Sequence, residues 1–161
     1  MSGRFQYRLQ TLLDQKARAQ EEAERALGDK QRDLRVERER LEEENGKLAA
    51  VQQKREAFRR ETPAEMTADT MRYRADYLRG LGQDVELAKD AVYAQRFAVE
   101  EAEERVEEAR SALARATREA EVLRKHREKA ETRWRREQER AAELEQEEIG
   151  SVLHEARRRS G

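Results

Sequence analysis

The chain has 161 residues, of which 44% are charged and only 5% aromatic, and its mean hydropathy is −1.22. So few large apolar side chains exclude a compact globular core of ordinary size. Its 35 basic residues nearly cancel 36 acidic ones, which argues against a disordered chain of high net charge and against a nucleic-acid binder with a segregated basic face.

What remains is long helices with a narrow apolar seam. Ala, Leu, Arg, Glu, Lys and Gln are the best helix formers, and Ala, Leu and Val recur regularly, so the composition points to an all-α coiled coil. There is no cysteine, hence no disulfide framework and no thiolate chemistry. The opening MSGRFQYRLQ carries no apolar run resembling a signal peptide, and nothing approaches a transmembrane length. The expected compartment is the cytoplasm, without membrane insertion.

The first predicted helix spans about 4–60. Leu27, Leu34, Leu41 and Leu48 stand at seven-residue steps, and Val51 and Phe58 continue the other seam position. Upstream, Phe5, Leu12, Ala19 and Ala26 form a repeat displaced by one residue, which predicts a local change of winding near Gly28. Lys30, Glu37, Glu44 and Arg55 fall on the seam and predict weaker packing there. Gly28 and Gly46 each cost about 1 kcal/mol in a helix interior.

A turn is predicted at about 61–69, in RRETPAEMTADTMRYR, which holds the sole proline. Thr62-Pro63-Ala64-Glu65 has the form of a capping box with Pro at the first helical position. Thr67 and Asp69 offer further helix starts, and Thr62, preceding proline, is pushed out of the helical region. Clustered helix starts between two seamed helices favour an antiparallel hairpin; the alternative is a kink in one continuous rod.

The second predicted helix spans about 70–157. Steps of three and four give Leu78, Leu81, Val85, Ala88, Val92, Gln95, Val99, Ala102, Val106, Ala109, Leu113, Ala116, Ala120, Leu123, Arg127, Ala130, Trp134, Glu137, Ala141 and Leu144. A seven-residue repeat this long implies a left-handed supercoil against a partner helix, and the alanines imply close approach. The predicted fold is one antiparallel two-helix coiled-coil hairpin over residues 1–161, its second helix the longer: about 80 Å against about 130 Å at 1.5 Å per residue. Phe5 is then expected beside roughly residue 125. Beyond residue 130 the second helix is expected to have no intramolecular partner, although its apolar positions continue through Trp134, Ala141, Leu144, Ile149, Val152 and Leu153. An uncovered apolar stripe on so polar a chain asks for a partner.

No catalytic residue, cofactor or metal site is expected. His126, in LRKHREK, reads as part of a solvated helix face, and His154 lies near the C-terminus, where a cation favours the helix dipole. There is no Gly-rich phosphate loop, nucleophile elbow or calcium loop. The runs LEEEN and EEAEERVEEAR read as surface ion pairs with Arg and Lys three or four residues away. Arg157, Arg158 and Arg159 suit a helix C-terminus, or attract an acidic partner. Trp134 either fills a wide gap in the seam or meets a partner.

The chain resembles the FliJ/YscO family of bacterial type III secretion, small charged two-helix proteins of flagellar export and injectisomes. FQYRLQTLLDQKARAQEEAERAL is similar to the family's opening helix, MRYRADYLRGLGQDVELAK to the start of its second helix, and RREQERAAELEQEEIGSVLHEAR to its Glu-rich ending. The resemblance implies a stalk like the central subunit of rotary ATPases, inserted into the pore of a hexameric export ATPase, touching an export-gate protein and handling substrate chaperones. The inserted end would comprise Phe5, Leu9, Leu12, Leu13, Leu123, Trp134, Leu144, Ile149 and Leu153. The family's export-gate patch maps onto Tyr77, Leu81, Asp84 and Ala88; the acidic Asp84 departs from its pattern, and Leu81 and Ala88 also fall on the predicted seam.

Three readings follow. The first is a non-enzymatic stalk or coupling protein, peripheral to the inner-membrane export apparatus. The second is a structural scaffold, a homodimer of about 38 kDa formed through the same seam, twice the 19.0 kDa chain. The third, an enzyme or nucleic-acid binder, has little in the residues to favour it.

Overall fold

The computed structural model describes residues 3–161. The described residues form two helices and no strand: α1, Gln10–Arg60, and α2, Ala68–Arg159. The fold is an all-α antiparallel hairpin with the second helix longer. Contacts group into two units, Glu24–Ala112 and Met1–Ala23 with Leu113–Gly161.

The unit Glu24–Ala112 contains the turn. α1 ends at Arg60 with no glycine to carry a left-handed cap. Its last carbonyls take donors from α2 instead. Arg74 Nη2 donates to the carbonyls of Phe58 at 3.1 Å and Glu61 at 2.8 Å, and the guanidinium lies 4.7 Å from the Phe58 ring centroid. One side chain thus satisfies orphan acceptors of a helix end and adds a cation–π contact.

Of the helix starts predicted in this region, the structure uses Thr67. Its hydroxyl accepts the Thr70 N–H at 3.2 Å, and Thr70 Oγ1 accepts the Thr67 N–H at 2.9 Å. This is a reciprocal capping box with a threonine in the position usually held by Glu. Asp69 in the first turn suits the helix dipole. The box expected at Thr62 does not form. The later start is the one whose first N–H groups find side-chain acceptors, Thr67 and Thr70 each serving the other. Residues 61–67 make the crossing with no residue at positive φ.

Within this unit the seam is as predicted. Leu34, Leu81, Val85, Val92, Val99, Ala102 and Val106 are buried, and Leu27 and Leu41 pack against the cluster of Leu34, Val99, Ala102 and Val106. Each buried Val or Leu contributes about 1.5–3 kcal/mol relative to exposure. The polar seam positions resolve individually. Gln95 Nε2 donates to Glu37 Oε2 at 2.6 Å and to the Glu37 carbonyl at 3.0 Å. Glu44 turns to Lys47 at 2.7 Å. Arg55 crosses the seam over Gly82, its Nη2 4.0 Å from where a Cβ would stand.

In the other unit, Leu13 and Ala120 are buried, with Leu9, Ala17, Ala23, Leu113, Ala116, Leu123 and Ala130 half-buried. Ala120 is fully enclosed, the close approach that a small side chain permits. Lys16 meets Glu119 at 2.6 Å, and Arg124 donates to Gln20 Oε1 at 3.0 Å.

Two expectations are corrected here. First, α1 starts at Gln10, not near residue 4; residues 3–7 are not helical. Extended chain covers about 3.3 Å per residue against 1.5 Å in a helix, so Phe5 reaches Trp134 instead of the neighbourhood of residue 125. Second, there is no change of winding at Gly28. Leu13, Gln20, Leu27, Leu34, Leu41 and Leu48 keep unbroken seven-residue steps on the covered face, while Leu12, Ala19 and Ala26 are exposed. The polar Gln20 hides this continuity in the sequence, and keeping register costs no distortion of the helix. α2 also runs on through Gly150 and Ser151 to Arg159.

Candidate functional site

Two surfaces carry the predicted site residues. The first is at the termini, within the unit that holds both. The N-terminal segment lies on α2 through two ring contacts. Phe5 and Trp134 are tilted at 51° with centroids 5.8 Å apart. The Tyr7 and His126 centroids are 5.7 Å apart, Tyr7 Oη is 2.9 Å from His126 Nδ1, and it donates to the Leu123 carbonyl at 3.4 Å. His126, expected on a solvated face, is therefore a docking point for the segment. Trp134, expected without an intramolecular partner, has one.

The nine candidates of this surface divide. Phe5, Leu9, Leu13, Leu123 and Trp134 are engaged in packing within the chain, Leu13 with 6% of its surface exposed. Leu12, Leu144, Ile149 and Leu153 are exposed. Every residue from 139 onward is exposed, including Val152 at 62%. Ile149, Val152, Leu153 and Ala156 share one face at the i, i+3, i+4, i+7 spacing of an amphipathic helix. Leu144 is turned about 140° from Ile149 at 3.6 residues per turn, so it does not belong to that stripe. The stripe ends in a capped, cationic terminus: Ser160 Oγ donates to the Ala156 carbonyl at 3.0 Å, and Arg157, Arg158 and Arg159 occupy the last turn.

The second surface is the early part of α2, in the unit Glu24–Ala112. Leu81 is 3% exposed and Ala88 half-buried, both on the seam. Tyr77 packs against Phe58 with the rings tilted at 59° and centroids 4.5 Å apart, and stacks on Tyr73 at 6.1 Å and 13°. Asp84 is exposed, as are Tyr73 and Leu87. The sequence reading missed Tyr73, and it missed Arg74, whose role depends on carbonyls sixteen and thirteen residues away. Beside Tyr77 and Asp84, the residues Tyr73, Gly80, Leu87, Ala91, Ala94 and Ala98 repeat at alternating steps on the flank of the seam, a signal that was available and was masked by the stronger seam beside it.

The electrostatics are those of a surface. Ion pairs such as Glu107–Arg110 at 2.6 Å, Arg38–Glu103 at 2.8 Å and Asp29–Arg32 are exposed, each worth a few tenths of a kcal/mol. The hydrogen bond from Lys16 and then its charge hold the Glu119 carboxyl below the ordinary carboxylate range. The hydrogen bond and charge of Glu44 raise the Lys47 ammonium. Among the described residues no group of three or more His, Asp or Glu converges for a metal ion, and no helix is long and apolar enough to cross a membrane.

Comparison with known proteins follows the same line. The model of the YscO-like protein family matches residues 4–160. No curated protein matches the chain. The fold is similar to the solved structure of CT670 from Chlamydia trachomatis, described as a candidate YscO homologue, with a TM-score of 0.82 and 24% identity, covering 98% of this chain and 100% of that one.

Proposed function

Because this chain belongs to the YscO-like family of type III secretion proteins, we propose that it is a non-enzymatic central-stalk protein that binds the hexameric export ATPase and links it to the export gate and to substrate chaperones. The observation that carries this reading is the uncovered stripe Ile149, Val152, Leu153 and Ala156 on a helix that continues past its last intramolecular contacts. A helix end with one apolar face and a polar remainder suits insertion into a lined pore. Unequal contacts with the subunits of such a ring would bias their conformations, a population shift that needs no chemistry from the stalk. The export-gate contact is assigned to the exposed members of the early α2 surface, Tyr73, Asp84 and Leu87, with the half-buried Tyr77 between them, in place of the seam residues Leu81 and Ala88.

The test adds the protein to its cognate export ATPase. ATP turnover should rise with the full chain, and truncation after residue 140, which retains Trp134 and its Phe5 contact, should abolish the rise. Equal stimulation by both chains would remove the tip from the mechanism. Light scattering over a range of concentrations tests the homodimeric scaffold. The seam that scaffold would use is already filled by Leu81, Val85, Val92 and Val99 within one chain, so the stalk reading expects a monomer.

A further inference from the structure

Trp134 and Val152 are eighteen residues apart, about five turns at 3.6 residues each, so they lie on one face of α2. Ala141 lies between them on that face. Gln138 and Glu145 fall on the same face between them, so the tip stripe and Trp134 are two apolar patches of one face, the inner of which packs against the Phe5 ring.

From this we infer that residues 3–7 are a strap that conceals the inner part of the partner-binding face, and that a partner seating fully on α2 displaces it. The inference rests on the stalk reading and deepens it: Trp134 is a partner contact that becomes available on strap opening, and Phe5 is its cover. The attachment is suited to release. Among the described residues, the backbone of the segment is tied by a turn, Gln10 N–H to Tyr7 C=O at 3.1 Å, while its hold on α2 comes from two ring contacts and the Tyr7 hydroxyl. Docking orders a non-helical stretch whose backbone freedom opposes those contacts. Such a segment opens locally without unfolding the helices. The exchange is balanced in kind, since an apolar partner surface replaces one aromatic ring on Trp134.

Trp134 is the sole tryptophan and there is no cysteine, so both strap and lock can be read cleanly. In the double variant Phe5→Ala, Tyr7→Ala, circular dichroism should be unchanged while Trp134 emission shifts to the red and acrylamide quenching rises. Unchanged emission and quenching would show that the segment does not cover Trp134 and would overturn the inference. Binding to the export ATPase hexamer is then followed by anisotropy of a fluorophore on a C-terminal peptide tag. If the strap is closed nine-tenths of the time, the double variant binds about tenfold more tightly than the wild type. A Tyr7→Cys, His126→Cys variant joined by a reducible thiol crosslinker should bind more weakly and recover on reduction. Equal affinity of all forms would overturn the strap while leaving the stalk reading standing. Absence of binding by every form would remove the stalk reading and the strap with it.

Discussion

Val99 and Val152 are the same residue on the same helix, yet one is 9% exposed and the other 62%. Around Val99 the apolar positions keep a strict seven-residue repeat: Val85, Val92, Val99 and Val106 on one seam position, Leu81, Ala88, Gln95 and Ala102 on the other. A helix holds that period only when a partner bends it into a supercoil. Near Val152 the positions Ala141, Ile149, Val152 and Ala156 follow the helix's own 3.6-residue period. The half-buried position after Trp134 is already Gln138 and not the heptad position Glu137. The period of an apolar stripe thus distinguishes a face that its own chain covers from a face that it leaves open.

The contrast is open to direct attack. Leu81→Ala should cost about 2–5 kcal/mol in urea unfolding, whereas Val152→Ala should stay within about 0.5 kcal/mol; comparable losses would mean that the tip is covered too. Arg74→Ala removes charge-assisted bonds to two carbonyls and a cation–π contact at the closed end, an expected loss of about 1–3 kcal/mol by the same measurement. The glycines probe the same divide more gently. A Cβ at Gly46 or Gly150 meets nothing within 4 Å, so each Gly→Ala change favours helix by about 1 kcal/mol. Gly46→Ala should raise the unfolding midpoint. Gly150→Ala should raise far-ultraviolet helicity and leave the midpoint in place, because every residue from 139 onward is exposed and no packing couples the tip to the hairpin.

The smallest effect concerns Lys16 and Glu119. A carboxyl held below its ordinary value in the folded chain favours folding above the unfolded carboxylate pKa, and that contribution is lost as pH falls through the lower, folded value. Lys16→Met should return the Glu119 carboxyl toward the ordinary range in an NMR titration. An unmoved titration would assign the shift to something other than the 2.6 Å pair.

Much of the candidate site was legible, but in the wrong proportions. Ile149 and Leu153 were found because an apolar residue among Glu and Arg stands out by itself. Phe5 and Trp134 were found as apolar residues, yet their mutual contact was not, since it requires residues 3–7 to leave the helix. Leu81 and Ala88 were named for the export gate and for the seam at once; on that seam Leu81 is buried and Ala88 half-buried. Arg74 was passed over because its importance comes from Phe58 and Glu61, on the far side of the turn; Tyr73, stacked on Tyr77 within α2, was hidden by the stronger seam beside it.

Local chemistry alone was enough to establish two helices, the end of α1 near Arg60, the seam of α2 and the apolar character of the tip. Those features depend on helix propensity, on proline's missing donor and on a period visible within a few turns. The fold decided which threonine caps α2, which of Leu12 and Leu13 turns inward, and what lies on Trp134. These depend on partners far away in the chain, where several local arrangements are nearly equal in energy and the contact made across the hairpin selects one.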